Sequence, residues 1–178
     1  MSDATMCTIY LAGGCFWGVE ELFRQLPGVV DTTVGYANGS GAEEATYQQV
    51  CEGGTGFRET VCVRFDPQVT SVDKILWAYF AIIDPTIENR QGNDIGAQYQ
   101  TGIYWPAEDV ALGEAVKRIA DAQRAKLAAE GRPFAVEVHE LVNFFDAEEY
   151  HQLYLVKNPG GYCHVPRAEM NEVLKALS

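Results

Sequence analysis

Apolar positions alternate along residues 7–12, with Cys7, Ile9 and Leu11 on one face, and this period of two predicts a strand. Gly13-Gly14 breaks it. Beyond Cys15 the spacing changes: Val19, Leu22, Phe23 and Leu26 fall at i, i+3, i+4 and i+7, which predicts an amphipathic helix ending near Pro27-Gly28. A second strand is expected over 29–36, followed by a loop at 37–42. From Glu59 to Phe65 alternation returns, with Glu59, Val61, Val63 and Phe65 on one face and Thr60, Cys62 and Arg64 on the other. Thr70 and Asp73 match a capping box, and Val72, Ile75, Leu76, Tyr79, Phe80 and Ile83 form a helical stripe behind it. Residues 84–98 form a long polar loop, which in a compact domain tends to be functional. A strand over 100–105, a helix over about 106–130 stopped by Gly131 and Pro133, and a strand over 134–141 follow. A short helix over 147–156, a turn at 158–161 and a closing helix over 168–177 complete the pattern. Strands and helices mix without strict alternation, so an α+β sandwich is expected rather than a doubly wound parallel sheet.

The 178 residues suit one domain spanning 1–178, and no linker composition divides them. The formal net charge of −12 makes nucleic acid and anionic membranes poor partners, because both need positive patches. The longest apolar run, 75–83, is too short to span a bilayer, and the opening M-S-D-A-T-M-C has neither the basic nor the apolar part of a secretory signal. The five cysteines, Cys7, Cys15, Cys51, Cys62 and Cys163, are odd in number and widely spaced, with no C-x-x-C. That argues against a secreted disulfide framework and against a metal site, and makes a reducing cytoplasm the default.

Cys15 is the sharpest candidate for chemistry. It follows two glycines where a strand gives way to a helix, and the free N–H groups of a helix start favour an anion, so its thiol pKa is expected to fall. A cysteine there can also be a small buried hydrophobe, but Gly13-Gly14 leaves the sulfur unshielded, which a structural cysteine does not require. Phe16 and Trp17 read either as core aromatics or as an apolar wall beside the sulfur. Gly18 inside a helix points to a close neighbour. Glu59 sits on the inward face of its strand, where burial raises a carboxyl pKa and suits it to donate a proton. Tyr47 and Tyr99 lie in or beside loops and carry hydroxyl donors. His151, on the short helix near the tail, could face a site. Cys163 lies in the turn-rich N-P-G-G-Y-C-H and reads either as a surface thiol or as a mobile second thiol able to reach the first. His139 and His164 carry no clear signal, and Cys51 has no assigned place.

G-G-C-F-W-G (13–18), V-G-Y-A-N-G (34–39), T-Y-Q-Q-V-C-E-G-G-T-G-F-R-E (46–59), F-D-P (65–67), D-P-T-I-E-N-R-Q-G-N-D-I-G-A-Q-Y (84–99) and Y-H-Q-L-Y-L-V-K-N-P-G-G-Y-C (150–163) resemble, in order, peptide methionine sulfoxide reductase of type A. The resemblance implies a two-layer α+β sandwich with a mixed, largely antiparallel sheet, a ferredoxin-like core and a loop-rich C-terminal tail. It implies reduction of the S epimer of methionine sulfoxide, free or in proteins, by a monomer without metal or cofactor. By the same resemblance Cys15 is the nucleophile, Phe16 and Trp17 box the substrate methyl, and Glu59, Tyr47 and Tyr99 donate to the sulfoxide oxygen. Asp94 helps order the pocket or hold the substrate, Cys163 is the resolving thiol, and thioredoxin reduces the resulting disulfide; His151, from its own place near the tail, is added as a substrate-binding candidate. Three departures stand out: Phe57-Arg58 where many relatives have His-Ala, Ala97 where relatives commonly have Thr, and no cysteine beyond Cys163. Alternation sends Arg58 away from Glu59, so little effect on that carboxyl is expected. Two other readings use the same thiols: a thiol peroxidase, which leaves the aromatic wall and inward acid unexplained, and a redox-sensing module that forms the disulfide without turnover.

Overall fold

The computed structural model describes residues 5–178, so the reading of the chain's start as free of a signal segment lies, for its first four residues, outside them. The chain runs β1 (Cys7–Ala12), α1 (Phe16–Phe23), β2 (Val29–Ala37), α2 (Tyr47–Glu52), β3 (Arg58–Phe65), α3 (Val72–Ile82), β4 (Arg90–Gln91), β5 (Asp94–Ile95), β6 (Gly102–Trp105), α4 (Val110–Ala129), β7 (Glu137–Glu140), β8 (Phe144–Asp146), α5 (Tyr154–Lys157) and α6 (Arg167–Leu177). Among the described residues, six strands form one sheet in the order β7-β6-β1-β3-β2-β8. Its neighbours are antiparallel except β6 and β7, so the sheet is mixed and the fold is α+β.

The alternation read from the sequence decides which face is buried. Ile9, Leu11, Val34, Val61, Val63 and Ile103 face the helical layer and are fully inaccessible, packed against Phe16, Val19 and Phe23 of α1 and Ile75, Leu76 and Tyr79 of α3. Leu112 and Val116 of α4 and Met170 and Val173 of α6 extend the same core. Burying a large apolar side chain contributes about 1.5–3 kcal/mol, so this one face supplies most of the drive to fold. Tyr79 also donates its hydroxyl to the Ala12 carbonyl at 2.7 Å, which fixes α3 over the end of β1 where the chain turns into α1.

Several boundaries differ from expectation, each for a local reason. The cap of α3 is Ser71, not Thr70: Ser71 Oγ accepts from the Lys74 N–H at 3.2 Å, whereas the Thr70 N–H is held by the Asp66 carbonyl in the D-P turn. Pro106 begins a turn rather than α4, whose cap is Asp109, accepting from Leu112 N–H at 3.1 Å. The helix expected over 147–156 is broken in two. Leu153 is left-handed (φ 51°), and its N–H goes to the Glu20 carboxylate at 2.7 Å instead of to a helical carbonyl. The Gln152 side chain meanwhile bonds to both N–H and C=O of Val34 on β2, so the tail is stitched to the sheet by side chains. α2 was not foreseen from periodicity, although Thr46-x-x-Gln49 is a capping pair and Thr46 Oγ1 does accept from Gln49 N–H. The polar loop 84–98 holds the small β4–β5 hairpin, which turns through Gly92 (φ 57°).

Candidate active site

Strand β1 ends at Ala12, and Gly13-Gly14 carries the chain to Cys15, the N-cap residue of α1. Gly14 has φ of 90°, and a Cβ there would meet Gln91 Cβ at 2.7 Å and His164 Nε2 at 3.0 Å. Glycine is required here both by the left-handed backbone and by what packs on it. The Trp17 backbone N–H acts to lower the Cys15 thiol pKa, the helix-start effect read from the sequence, although the Cys15 side chain makes no capping hydrogen bond. The expected fall in the thiol pKa does not follow. Cys15 is only 7% exposed, and burial first, then the facing Glu59 carboxyl, hold the thiol far above its usual range; the lone N–H opposes them and is outweighed. Near neutral pH these groups keep Cys15 a neutral thiol.

Glu59 stands across from it near the start of β3, 2% exposed, on the inward face that alternation assigned to it. Its Oε1 accepts the Phe16 backbone N–H at 3.2 Å, while Oε2 is buried without a partner. Burial pushes the carboxyl up to about 8; the Phe16 N–H acts against this and Asp94 adds to it. Glu59 therefore carries a proton at neutral pH, as the sequence led one to expect. Arg58 points away: its Nε pairs with Glu137 at 3.0 Å and its guanidinium donates to the Ala97 carbonyl.

Cys15 and Glu59 open on a cavity of about 120 Å³ lined also by Phe16, Trp17, Tyr47, Asp94, Tyr99 and Tyr162. Five secondary elements meet there: the α1 start brings Cys15, Phe16 and Trp17, α2 brings Tyr47, β3 brings Glu59, β5 brings Asp94, and the turn before β6 brings Tyr99. Burial raises both tyrosine pKa values, ahead of Cys51 for Tyr47 and ahead of Glu59 for Tyr99, so both hydroxyls stay protonated donors. The Trp17 indole is fixed on two sides, stacked on Tyr154 at 3.7 Å and 10° and donating Nε1–H to His151 Nδ1 at 3.0 Å. His151 itself does not line the cavity. It is buried behind the wall in the turn 149–151, within 4.6 Å of the Tyr47 ring, so its place is support for Trp17 rather than contact with a ligand.

Cys163 lies outside the cavity and is half-buried. Its Sγ donates to the Val165 carbonyl at 3.2 Å and rests against Gly18, one helical turn from Cys15 on the same face of α1. That contact explains a glycine inside α1: a Cβ would lie 3.1 Å from the sulfur. All five cysteines are free thiols. Tyr162 was missed in the sequence. Its hydroxyl donates to Asp94 at 3.1 Å and it roofs the cavity; burial, then Asp94, push its pKa up to about 12. Its adjacency to Cys163 was the available clue. Among the described residues, no group of three or more His, Cys, Asp or Glu is arranged to hold a metal ion, and no helix is long and apolar enough to cross a membrane.

The chain is similar in sequence and fold to known proteins. Residues 7–177 match the model of the family described as peptide methionine sulfoxide reductase. The chain is 46% identical over 162 residues to the peptide methionine sulfoxide reductase MsrA of Clostridium acetobutylicum, covering 91% of this chain and 96% of that one. Its fold superposes on methionine sulfoxide reductase A of Corynebacterium diphtheriae with a TM-score of 0.83 at 37% identity, covering 91% of this chain and 79% of that one. Mxr1 from Saccharomyces cerevisiae in reduced form gives 0.80 at 37% identity, covering 91% of both chains. The same yeast protein in complex with Trx2 gives 0.56 at 27% identity, over 84% and 86%. With the match running almost from end to end, through the segments that build the cavity, the chain belongs to the peptide methionine sulfoxide reductase family.

Proposed function

We propose that this protein, acting as one monomeric domain in the cytoplasm, reduces the S epimer of methionine sulfoxide to methionine and is recycled by thioredoxin. The observation that carries this reading is a protonated carboxyl and a thiol facing each other across one small cavity with an aromatic wall. A sulfoxide has a negative oxygen and an electron-poor sulfur. In this pocket the oxygen takes hydrogen bonds from Glu59 and from the Tyr47 and Tyr99 hydroxyls, and the unpartnered Glu59 Oε2 gains its partner. The methyl group lies on Phe16 and Trp17, and Asp94 with Tyr162 closes the far side. Cys15 attacks sulfur as thiolate. With Glu59 neutral, the carboxyl no longer opposes that anion, and the Trp17 N–H stabilises it.

As the S–O bond of the sulfoxide breaks, Glu59 supplies the proton to the departing oxygen. The protonated oxygen passes to the Cys15 sulfur as the bond formed between Cys15 and the substrate sulfur breaks, so methionine leaves, Cys15 becomes a sulfenic acid, and the proton that Cys15 gave up restores Glu59. Cys163 then forms a disulfide with Cys15 and water is lost. That disulfide then goes to a dithiol reductant. The yeast complex with Trx2 supports a thioredoxin in that role, and five free thiols suit a reducing compartment. A thioredoxin-coupled assay with each resolved epimer tests the reading. Turnover is expected with the S epimer and background with the R epimer; equal rates, or preference for hydrogen peroxide as oxidant, would overturn it.

A further inference from the structure

His164 follows Cys163 in sequence and packs into the glycine-lined notch beside Cys15. Its Nε2 lies 2.9 Å from the Gly13 carbonyl, which can only accept, so Nε2 carries the ring proton. In the neutral ring that leaves Nδ1 a bare lone pair, and Nδ1 is buried with no partner. Nδ1 lies 3.1 Å from the point where a Gly18 Cβ would stand, and Cys163 Sγ lies 3.1 Å from that same point. The free base and the thiol thus flank the same point on α1, each 3.1 Å from it and one helical turn from Cys15. Of the described residues, His151 and His164 hold buried ring nitrogens without a partner, and His151 is committed to Trp17.

We propose that His164 is the general base of the resolving step, its Nδ1 taking the Cys163 thiol proton as that sulfur attacks the Cys15 sulfenic acid. The inference rests on the resolving role given to Cys163 above. The Cys163–Cys15 S–S bond forms and the S–O bond of the sulfenic acid breaks. Cys163 is oxidised and Cys15 reduced to the disulfide level, and the departing hydroxide leaves as water with the proton that His164 returns. A base is needed, because burial raises the Cys163 pKa and its proton points at the Val165 carbonyl, which cannot remove it. Burial also lowers the His164 pKa, against the Gly13 carbonyl and Asp94, which keeps the ring neutral near pH 7. The charged groups around the pair are Asp94 on β5, acting on His164, and Glu21 on α1 and Arg167 on α6, acting on Cys163.

The test is single-turnover chemistry with one equivalent of sulfoxide, following methionine release, dimedone-trapped Cys15 sulfenic acid and disulfide separately in wild type, His164→Gln and Cys163→Ser. Glutamine keeps an N–H for the Gly13 carbonyl and removes the Nδ1 base. Methionine release is expected unchanged in His164→Gln, with disulfide formation slowed by about ten- to a hundredfold and sulfenic acid persisting. Wild-type disulfide formation is expected to level off above the His164 ionisation, while in His164→Gln it climbs tenfold per pH unit toward the thiol pKa. A wild-type rate in His164→Gln overturns the inference. So does a wild-type profile that climbs without a plateau, a result independent of how the variant folds. Disulfide formation at full rate in Cys163→Ser instead overturns the resolving role itself.

Discussion

Glu59 takes the Phe16 backbone N–H on one carboxylate oxygen at 3.2 Å and leaves the other buried and unpartnered. One hydrogen bond anchors the group; burial keeps the proton on it. Replacement by Gln preserves the shape and removes the transferable proton. Glu59→Gln is expected to slow methionine release by about a hundredfold or more in single turnover, with iodoacetamide alkylation of Cys15 little changed. In wild type the same step is expected to rise with pH as more Cys15 ionises and to level off above about 8, where loss of the Glu59 proton cancels that gain, and this break should vanish in the variant.

The same carboxyl costs stability. Its folded pKa of about 8 lies above the ordinary 4.5, so between those values the unfolded chain is ionised while the folded chain holds the proton. The unfolded state binds fewer protons there, and stability declines as pH rises from about 4.5 to 8, the penalty being complete above 8. Glu59→Gln is therefore expected to be more stable than wild type at pH 8.5, by roughly 5 kcal/mol, and to lose that advantage near pH 4.5. Urea unfolding at the two pH values measures the difference; an equal offset at both would contradict it.

How much of this was legible in the sequence depended on whether the determinant was local. Alternation in β3 placed Glu59 inward correctly, because one buried sheet face fixes every second residue. The stripe in α3 and the N-cap position of Cys15 were equally local. The direction of the Cys15 shift was not, since the helix-start N–H is visible in sequence while the burial that outweighs it comes from elements far along the chain. That His151 stands behind the wall and not on the cavity was hidden for a related reason. Its helix is interrupted by Glu20 and Gln152 bonds to Leu153 and Val34, long-range partners that no periodicity reveals.

His151 holds Trp17 from behind through the 3.0 Å indole bond. His151→Phe keeps an aromatic ring and removes the acceptor, leaving a partly buried indole N–H unpaired. The sulfoxide KM is expected to rise about five- to tenfold, with kcat changed much less. A fall in kcat at constant KM would move His151 from the wall into the chemistry.

Gly18→Ala should improve the intrinsic helix propensity of α1 by up to about 1 kcal/mol yet push its Cβ against Cys163 Sγ and His164 Nδ1, both 3.1 Å away. Methionine is expected to be released normally in the first turnover, with slower disulfide formation and faster proteolytic cleavage in the segment 158–165. Unaltered disulfide kinetics would show that the tail does not need this seat.

Cys163→Ser is expected to release about one methionine per protein with thioredoxin present and then stop, with the Cys15 sulfenic acid trapped by dimedone. Continued turnover at the wild-type rate would require Cys7, Cys51 or Cys62 to substitute.

Tyr162 and Cys163 are neighbouring links of one chain, the first roofing the cavity through Asp94 and the second parked on α1. A displacement that carries the second sulfur to the first drags the roof off its post. If Cys163 resolves Cys15 as proposed, vacating the chamber and sealing the oxidised sulfur become one mechanical stroke, and no fresh oxidised side chain is gripped until the reductant has reset the tail.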